Sequence, residues 1–161
     1  MKSLVVYYSH KGTTAYIARR FFEELKKKGE AYIYELKYLG PEPSLIKRFF
    51  YRFNVKAVKI ITVPTDIKDY DCLYLGISVL GGYPSAAMSK YITMLENINN
   101  KKIICAYTYG LEASVENCKA YVERLLKKGG SPIIINVNIP WYNVFKENFL
   151  EGVISFALSK L

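Results

Sequence analysis

Five short apolar segments alternate with five segments of helical periodicity along this 161-residue chain, and this alternation limits the folds it can adopt. The apolar segments, which we expect to be strands, span residues 2–8, 31–36, 71–76, 102–107 and 132–139. The helical segments span residues 13–28, 45–56, 84–96, 113–128 and 145–161. Strands that alternate with helices form a parallel sheet with helices on both faces. We therefore predict one domain over residues 1–161, a three-layer α/β fold whose doubly wound five-stranded sheet has the order 2-1-3-4-5.

A sheet of this order binds ligands at the carboxyl ends of its strands, where the strand order reverses. That point lies between the first and third strands, so their two loops and the loop after the fourth strand are the candidate site. In the first loop, Ser9, Thr13 and Thr14 surround Gly12 just before a helix. A helix N-terminus attracts anions, and hydroxyl groups donate hydrogen bonds to phosphate oxygens. The loop therefore favours a phosphate, and without a lysine after the glycine it does not fit a nucleoside triphosphate with magnesium.

The second candidate loop contains paired glycines, Gly81 and Gly82, followed by Pro84. Glycines let the backbone approach a flat ligand closely and permit positive φ. The same residues could also form a plain turn in which the proline begins a helix. Next to a phosphate-type loop, the ligand interpretation is favoured. Trp141 follows Pro140 at the end of the fifth strand, and we expect it to pack at the rim, away from the site.

The two loops together resemble the flavodoxin family. Residues 5–18 match that family's phosphate-loop pattern, apolar-apolar-aromatic-x-[Ser/Thr]-x-x-Gly-x-Thr-x-x-x-Ala. Residues 76–84, with Gly76, Val79-Leu80-Gly81-Gly82 and Pro84, are similar to its first flavin-ring loop. The resemblance covers nearly the whole chain in element order, although these two motifs alone are specific.

This resemblance implies that the cofactor is FMN. Hydroxyls of the first loop would hold its phosphate together with neighbouring amides, Leu80 would cover one face of the ring, and Gly81 would turn its carbonyl toward ring nitrogen N5. The third loop would edge the pyrimidine side. The residues implied to bind FMN are Ser9, His10, Lys11, Gly12, Thr13, Thr14, Ser78, Val79, Leu80, Gly81, Gly82, Tyr83, Thr108, Tyr109 and Gly110.

Individual side chains in these loops allow more than one interpretation. His10, the one histidine of the chain, could be an ordinary exposed residue or could add charge near the phosphate, as could Lys11. Tyr83 and Tyr109 could stack on the flavin, but the chain has 15 tyrosines. We expect no catalytic residue and no metal site, since no paired carboxylates, Ser/His/Asp set or Cys/His cluster is present.

The chain is basic, with a formal net charge of +9. Part of the excess lies at the ends of predicted helices, where cations complement the helix dipole. Typical flavodoxins are acidic and dock on basic reductases, so this chain cannot use that docking field. We expect redox partner proteins of unknown identity and no DNA or RNA. The three cysteines are expected as buried thiols, and the lack of a long apolar run suggests a cytoplasmic protein, monomeric or homodimeric.

Segment 45–56 combines apolar and basic side chains. The residues Leu45, Ile46, Phe49, Phe50 and Phe53 share one helical face, whereas Lys47, Arg48, Arg52 and Lys56 lie mainly elsewhere. The segment is either a crossover helix packed on the sheet or a basic amphipathic helix for a membrane surface or an acidic partner. One apolar face cannot serve both.

The pattern as a whole favours an FMN-binding electron-transfer protein. Two alternatives stay open: an FMN-dependent NAD(P)H:quinone-type oxidoreductase, and a flavin-free basic binding module on the same fold.

Overall fold

The central sheet arranges the second, first, third, fifth and sixth strands of the chain side by side in that order, and all neighbours in this path are parallel. The computed structural model describes the backbone of residues 1–161 and every side chain except those of Leu45, Arg48, Phe49 and Arg52. The strands are β1 Lys2–Tyr7, β2 Glu30–Glu35, β3 Cys72–Leu80, β4 Tyr83–Pro84, β5 Lys102–Tyr109 and β6 Ile133–Pro140. The predicted order 2-1-3-4-5 is confirmed for the five parallel strands.

Five α-helices connect and cover these strands. They are α1 Thr13–Lys27, α2 Leu45–Phe53, α3 Ala86–Thr93, α4 Val115–Gly129 and α5 Glu147–Leu158. Single 3₁₀ turns occur at Val55–Ala57, Glu112–Ser114 and Trp141–Asn143. Three predicted helices are clearly shorter than expected, since α2 ends at Phe53, α3 ends at Thr93 and α5 spans only Glu147–Leu158. Ser44 caps α2, because its hydroxyl accepts a hydrogen bond from the Lys47 amide at 3.4 Å.

The third strand was predicted to end at Gly76, and this is wrong. Strand β3 continues to Leu80 and then turns back into β4, which pairs with it antiparallel through Leu80 and Tyr83. The turn consists of Gly81 and Gly82 alone, with φ of +57° and +81°. A two-residue hairpin in which both residues have positive φ has the backbone twist that matches paired strands, and glycine adopts it without strain.

Two apolar layers bury the sheet on both faces. Alternate residues of β1 point to opposite sides, as the two-residue period of a strand requires. Leu4 and Val6 belong to the layer under α3 and α4, whereas Val5 and Tyr7 belong to the layer under α1 and α5. The helices contribute apolar residues to both layers, with Ile17, Phe21 and Leu25 in one layer and Met88, Ile92 and Leu95 in the other.

Three apolar side chains described for α2 lie outside these layers. Helix α2 contacts α3 and the 3₁₀ turn that follows it, and α3 and α4 already cover that face of the sheet. Ile46, Phe50 and Phe53 are 72, 64 and 74% exposed. The interpretation of segment 45–56 as a crossover helix packed on the sheet therefore does not hold for these three residues. What was expected of Leu45, Arg48, Phe49 and Arg52 lies outside the described side chains.

All three cysteines are buried and free, as expected. Burial raises the pKa of each thiol, Cys72, Cys105 and Cys118, to about 12. A group of three or more histidine, cysteine, aspartate or glutamate side chains that could hold a metal is not found among the described residues. In the described part of the chain, every helix is too short or too polar to cross a bilayer.

Gly76 marks the place where α1 comes closest to the sheet. A Cβ atom at this position would lie 2.7 Å from the Cβ of Tyr7 and 3.1 Å from the Cγ2 of Thr14. Gly76→Ala should therefore lower the free energy of unfolding by about 1–3 kcal/mol, because a packed layer must shift. Urea unfolding followed by circular dichroism measures this.

Gly152→Ala provides the matched control, since no atom lies within 4 Å of a Cβ there and the residue sits inside α5. Alanine in a helix should stabilise by at most about 1 kcal/mol. Equal effects of the two substitutions would contradict the close packing assigned to Gly76.

Candidate functional site

A cleft of about 370 Å³ opens at the carboxyl ends of β1, β3 and β5, the edge at which the strand order reverses. This volume lies in the range of about 300–1,000 Å³ that is usual for small-molecule sites. Its lining comes from the three predicted loops and from one residue that was not predicted. The lining residues are Ser9, His10, Lys11, Thr13, Thr14, Ser78, Val79, Leu80, Thr108, Tyr109, Gly110 and Trp141.

The first loop exposes the amino end of α1 to the cleft. Gly12 has φ of +86°, and no described side chain caps the helix. The Ser9 hydroxyl accepts the Gly12 amide at 3.1 Å, and the Gly12 carbonyl accepts the first helical hydrogen bond, from Tyr16, at 2.9 Å. The amides of the first helical turn are left for solvent or a ligand, and with the helix dipole they make a place for an anion.

Two hydroxyls tie the first loop to the third strand. Thr14 Oγ1 and Ser78 Oγ lie 2.7 Å apart, and Ser78 Oγ donates to the Tyr8 carbonyl at 3.2 Å. Because the Ser78 proton is used in that bond, Thr14 is the donor to Ser78. Thr14 is almost fully buried, so its hydroxyl holds the cleft together in this structure.

The hairpin forms the side wall of the cleft, and its two strands face different surroundings. Leu80 lies at the rim of the cleft, 39% exposed. Gly82 faces α4, where a Cβ would be in ordinary contact with Asn117. Tyr83 packs on Tyr121 of α4, with ring centroids 5.3 Å apart, and it does not line the cleft. Tyr83 therefore lies outside the described lining of the cleft, and its contact with a ligand stays a prediction.

The end of β5 forms the floor. The Thr108 side chain lines the cleft, is 8% exposed, and its Oγ1 atom has no hydrogen-bond partner among the described residues. A buried hydroxyl without a partner is costly unless a ligand or water satisfies it. Tyr109 is 7% exposed and belongs to the core layer under α4. Burial, and secondarily the charge of Glu112, raises the pKa of Tyr109. Tyr109 thus lines the cleft while its ring packs mainly in the core, and a stacking contact with a ligand stays a prediction.

Trp141 lines the cleft, and the expectation that it lies away from the site is wrong. Strand β6 pairs with β5, and the register places Pro140 opposite Tyr109. The residues that follow, Gly110 and Trp141, therefore meet at the same edge, and a Cβ on Gly110 would lie 3.3 Å from the indole Nε1. The indole is 58% exposed. The sequence could have predicted this position, because the last strand is a parallel neighbour of β5 and parallel neighbours end at the same edge of a sheet.

Of the predicted site residues, the cleft brings eleven together and leaves four outside its lining, Gly12, Gly81, Gly82 and Tyr83. Gly12 shapes the first loop, and the two hairpin glycines form the turn beside the cleft. The described lining residues include no carboxylate and no cysteine, while His10 and Lys11 supply basic side chains. The arrangement fits an anionic ligand with an apolar portion and offers no described carboxylate for acid–base catalysis.

Comparison with solved structures shows what the fold is similar to. A flavoprotein from Lactobacillus acidophilus in complex with FMN has a TM-score of 0.66 at 17% identity, over 90% of this chain and 97% of that one. Flavodoxin 2 from Bacillus cereus has a TM-score of 0.65 at 21% identity, over 98% and 96%. An NADH:FMN oxidoreductase has a TM-score of 0.64 at 14% identity, over 99% and 90%.

These likenesses show that the chain has the flavodoxin-like fold, as its sequence predicts. No protein-family model and no curated protein sequence matches the chain.

The hydrogen bonds from Thr14 to Ser78 and from Ser78 to the Tyr8 carbonyl, which we call the hydroxyl chain, predict that Ser78 stabilises the fold as well as lining the cleft. Ser78→Ala removes the acceptor of Thr14 and the donor to Tyr8, and leaves a buried hydroxyl without a partner. We expect a loss of about 1–3 kcal/mol in the free energy of unfolding, measured by urea titration.

Ser159→Ala is the control, because Ser159 lies just after the end of α5 and is exposed. Its hydroxyl also makes one hydrogen bond, to the Phe156 carbonyl at 2.7 Å. The cost of this substitution should stay within about 0.5 kcal/mol. A Ser78 variant as stable as the Ser159 variant would show that the hydroxyl chain contributes little.

Proposed function

We propose that this chain, which has the flavodoxin-like fold, binds FMN and transfers electrons between protein partners. The proposal rests mainly on one observation: the uncapped amino end of α1 opens into a cleft whose floor carries a buried hydroxyl without a described partner. FMN has an anionic end and a flat polar ring, and the two ends of the cleft suit these two parts. The FMN named with the Lactobacillus flavoprotein and the flavodoxin from Bacillus cereus agree with this choice.

The phosphate end of the cleft would use backbone and side-chain groups together. The amides of the first turn of α1 would donate hydrogen bonds to the phosphate. Thr13 is the first residue of that turn, and its hydroxyl would donate beside them. His10 and Lys11 lie at the same end. Ser9 holds the loop in shape through the Gly12 amide. Charge-assisted hydrogen bonds of this kind are among the stronger polar interactions in proteins.

The ring end of the cleft would be bounded by apolar and polar groups. Leu80 and Trp141 supply apolar walls, and the Thr108 hydroxyl supplies a hydrogen-bonding group at the floor. Gly81 and Gly82 form the hairpin turn and have no side chains, so their backbone N–H and C=O groups beside the cleft are not covered by side chains of their own. Bound FMN would supply the redox chemistry, whose potential depends on the hydrogen bonds and charge around its ring.

The lining favours an electron carrier over an enzyme. A carrier needs a ring held close to the surface, and Trp141 and Leu80 at the rim are partly exposed. Proton transfer by a side chain is not required for that task, and the described lining carries no carboxylate or thiol. An NADH:FMN oxidoreductase with a similar fold keeps the reductase alternative as an outcome of the redox test below.

The phosphate end can be tested by comparing FMN with riboflavin, which lacks the phosphate. The variant Lys11→Gln/Thr13→Val should bind FMN about tenfold more weakly, a loss of about 1.4 kcal/mol, and riboflavin with unchanged affinity. Trp141, the single tryptophan of the chain, reports binding through quenching of its fluorescence. Lys28→Gln, an exposed lysine beyond the end of α1, is the control.

Wild-type protein that binds FMN and riboflavin equally well would contradict a phosphate site at α1. A colourless protein that takes up neither flavin would reject the proposed function and leave the flavin-free alternative.

The carrier role predicts the course of a reductive titration of the FMN-loaded protein. Reduction under anaerobic conditions should proceed in two separable one-electron steps, monitored by visible absorbance with free FMN as the reference. The loaded protein should not oxidise NADH or NADPH in the presence of a quinone. A single two-electron step with steady NAD(P)H oxidation would instead support the oxidoreductase.

A further inference from the structure

A second concave surface lies on the other side of the hairpin, between α4 and the end of α2. It encloses about 500 Å³, and we call it the basic groove. Its described lining residues are Phe53, Asn54, Val55, Lys56, Tyr83, Thr93, Tyr121, Arg124, Leu125 and Lys128. The proposed FMN site does not use these side chains.

Three cations border the basic groove without an acidic neighbour in its lining. Lys56, Arg124 and Lys128 are all exposed, and no carboxylate occurs among the described lining residues. The ion pairs found among the described residues do not include any of the three. Two other lysines of α4 contrast with them, since Lys119 pairs with Glu116 at 2.6 Å and Lys127 with Glu123 at 3.7 Å. The groove therefore carries a net positive charge that the described residues do not neutralise.

Aromatic rings line the same groove as these cations. Tyr83 and Tyr121 pack edge to face, with an interplanar angle of 72°. The Arg124 guanidinium lies 5.2 Å from the centre of the Tyr121 ring. Phe53 closes the opposite side and is 74% exposed. Tyrosine and arginine side chains in partly buried pockets are typical of protein–protein contact sites.

We infer that the basic groove is a docking surface for an acidic segment of a partner protein. Carboxylates of the partner would meet Lys56, Arg124 and Lys128, and an apolar side chain of the partner would meet the rings. A bilayer is flat, whereas these side chains border a concave surface. Single-stranded nucleic acid needs open ring faces for stacking, whereas Tyr121 is contacted edge-on by Tyr83 and has Arg124 over its face.

The basic groove is adjacent to the cleft through the hairpin. Tyr83 in the groove pairs with Leu80 across the turn, and Leu80 lines the cleft. A partner bound in the groove therefore contacts one strand of the hairpin while the cleft contacts the other. This juxtaposition does not depend on which ligand the cleft binds, so the docking surface can be tested on the chain without flavin.

The probe is a fluorescein-labelled peptide of glutamate and aspartate with one central phenylalanine, and binding is followed by fluorescence anisotropy. The groove variant Lys56→Gln/Arg124→Gln/Lys128→Gln should bind it at least about tenfold more weakly than the wild type. The matched variant Lys26→Gln/Lys28→Gln/Lys160→Gln has the same net charge, and its changes lie in or beside α1 and α5, on the opposite face of the sheet. It should lose less than about threefold, because screened surface charges contribute little at a distance. Circular dichroism of both variants verifies that they fold.

Two further titrations distinguish a protein partner from a membrane or a nucleic acid. Vesicles of phosphatidylcholine with phosphatidylserine, and a single-stranded oligouridine, are titrated with the same proteins. Equal loss of peptide binding in the two variants would overturn the proposal, since it would show attraction by net charge alone. A groove-specific loss for vesicles or oligouridine that exceeds the loss for the peptide would also overturn it.

The aromatic part of the groove has its own readout. Tyr121→Ala should lower the affinity for the peptide several-fold. The dependence of binding on salt should not change, because the substitution removes an apolar contact and no charge. The control is Tyr32→Ala on β2, which should leave peptide binding unchanged. An unaffected Tyr121 variant together with an unaffected groove variant would show that the peptide binds elsewhere.

Discussion

The parallel pairing of β1, β3, β5 and β6 is the constraint on which the other features depend. Because these strands run in the same direction, their carboxyl ends lie at one edge, and every loop that lines the cleft leaves from that edge. The close approach of α1 to the sheet at Gly76 then places Thr14 within 2.7 Å of Ser78. The anion-binding end of the cleft is thus held by hydroxyl contacts between two loops that are distant in sequence.

The hairpin after β3 links the two surfaces proposed for function. Leu80 of β3 lines the proposed FMN site, and Tyr83, its partner across the turn on β4, lines the basic groove. Two glycines at the turn carry the positive φ values that make such a short connection possible. The proposed docking of acidic partners beside the cofactor would reverse the charge arrangement that the flavodoxin resemblance implies.

Element order and core positions could be predicted well, because they follow from local periodicity. The stripe of Ile17, Phe21 and Leu25 repeats every three to four residues and is buried as expected. The prediction for Trp141 was wrong, and the packing of Tyr83 and Tyr109 was not predicted, because each depends on the direction of a side chain relative to a neighbouring element. Periodicity reports which residues are apolar, but it does not report which layer or cleft a ring enters.

The sequence by itself determined the order of strands and helices, the doubly wound sheet and the residues of the first loop, because apolar periodicity and glycine positions act within a few residues of chain. Tertiary structure decided that β3 extends into a hairpin and that Ile46, Phe50 and Phe53 of α2 are exposed. It also decided that Trp141 joins the cleft through the register of β6 on β5. These outcomes depend on contacts between segments far apart in the chain, where packing space and strand register, not local preference, select the arrangement.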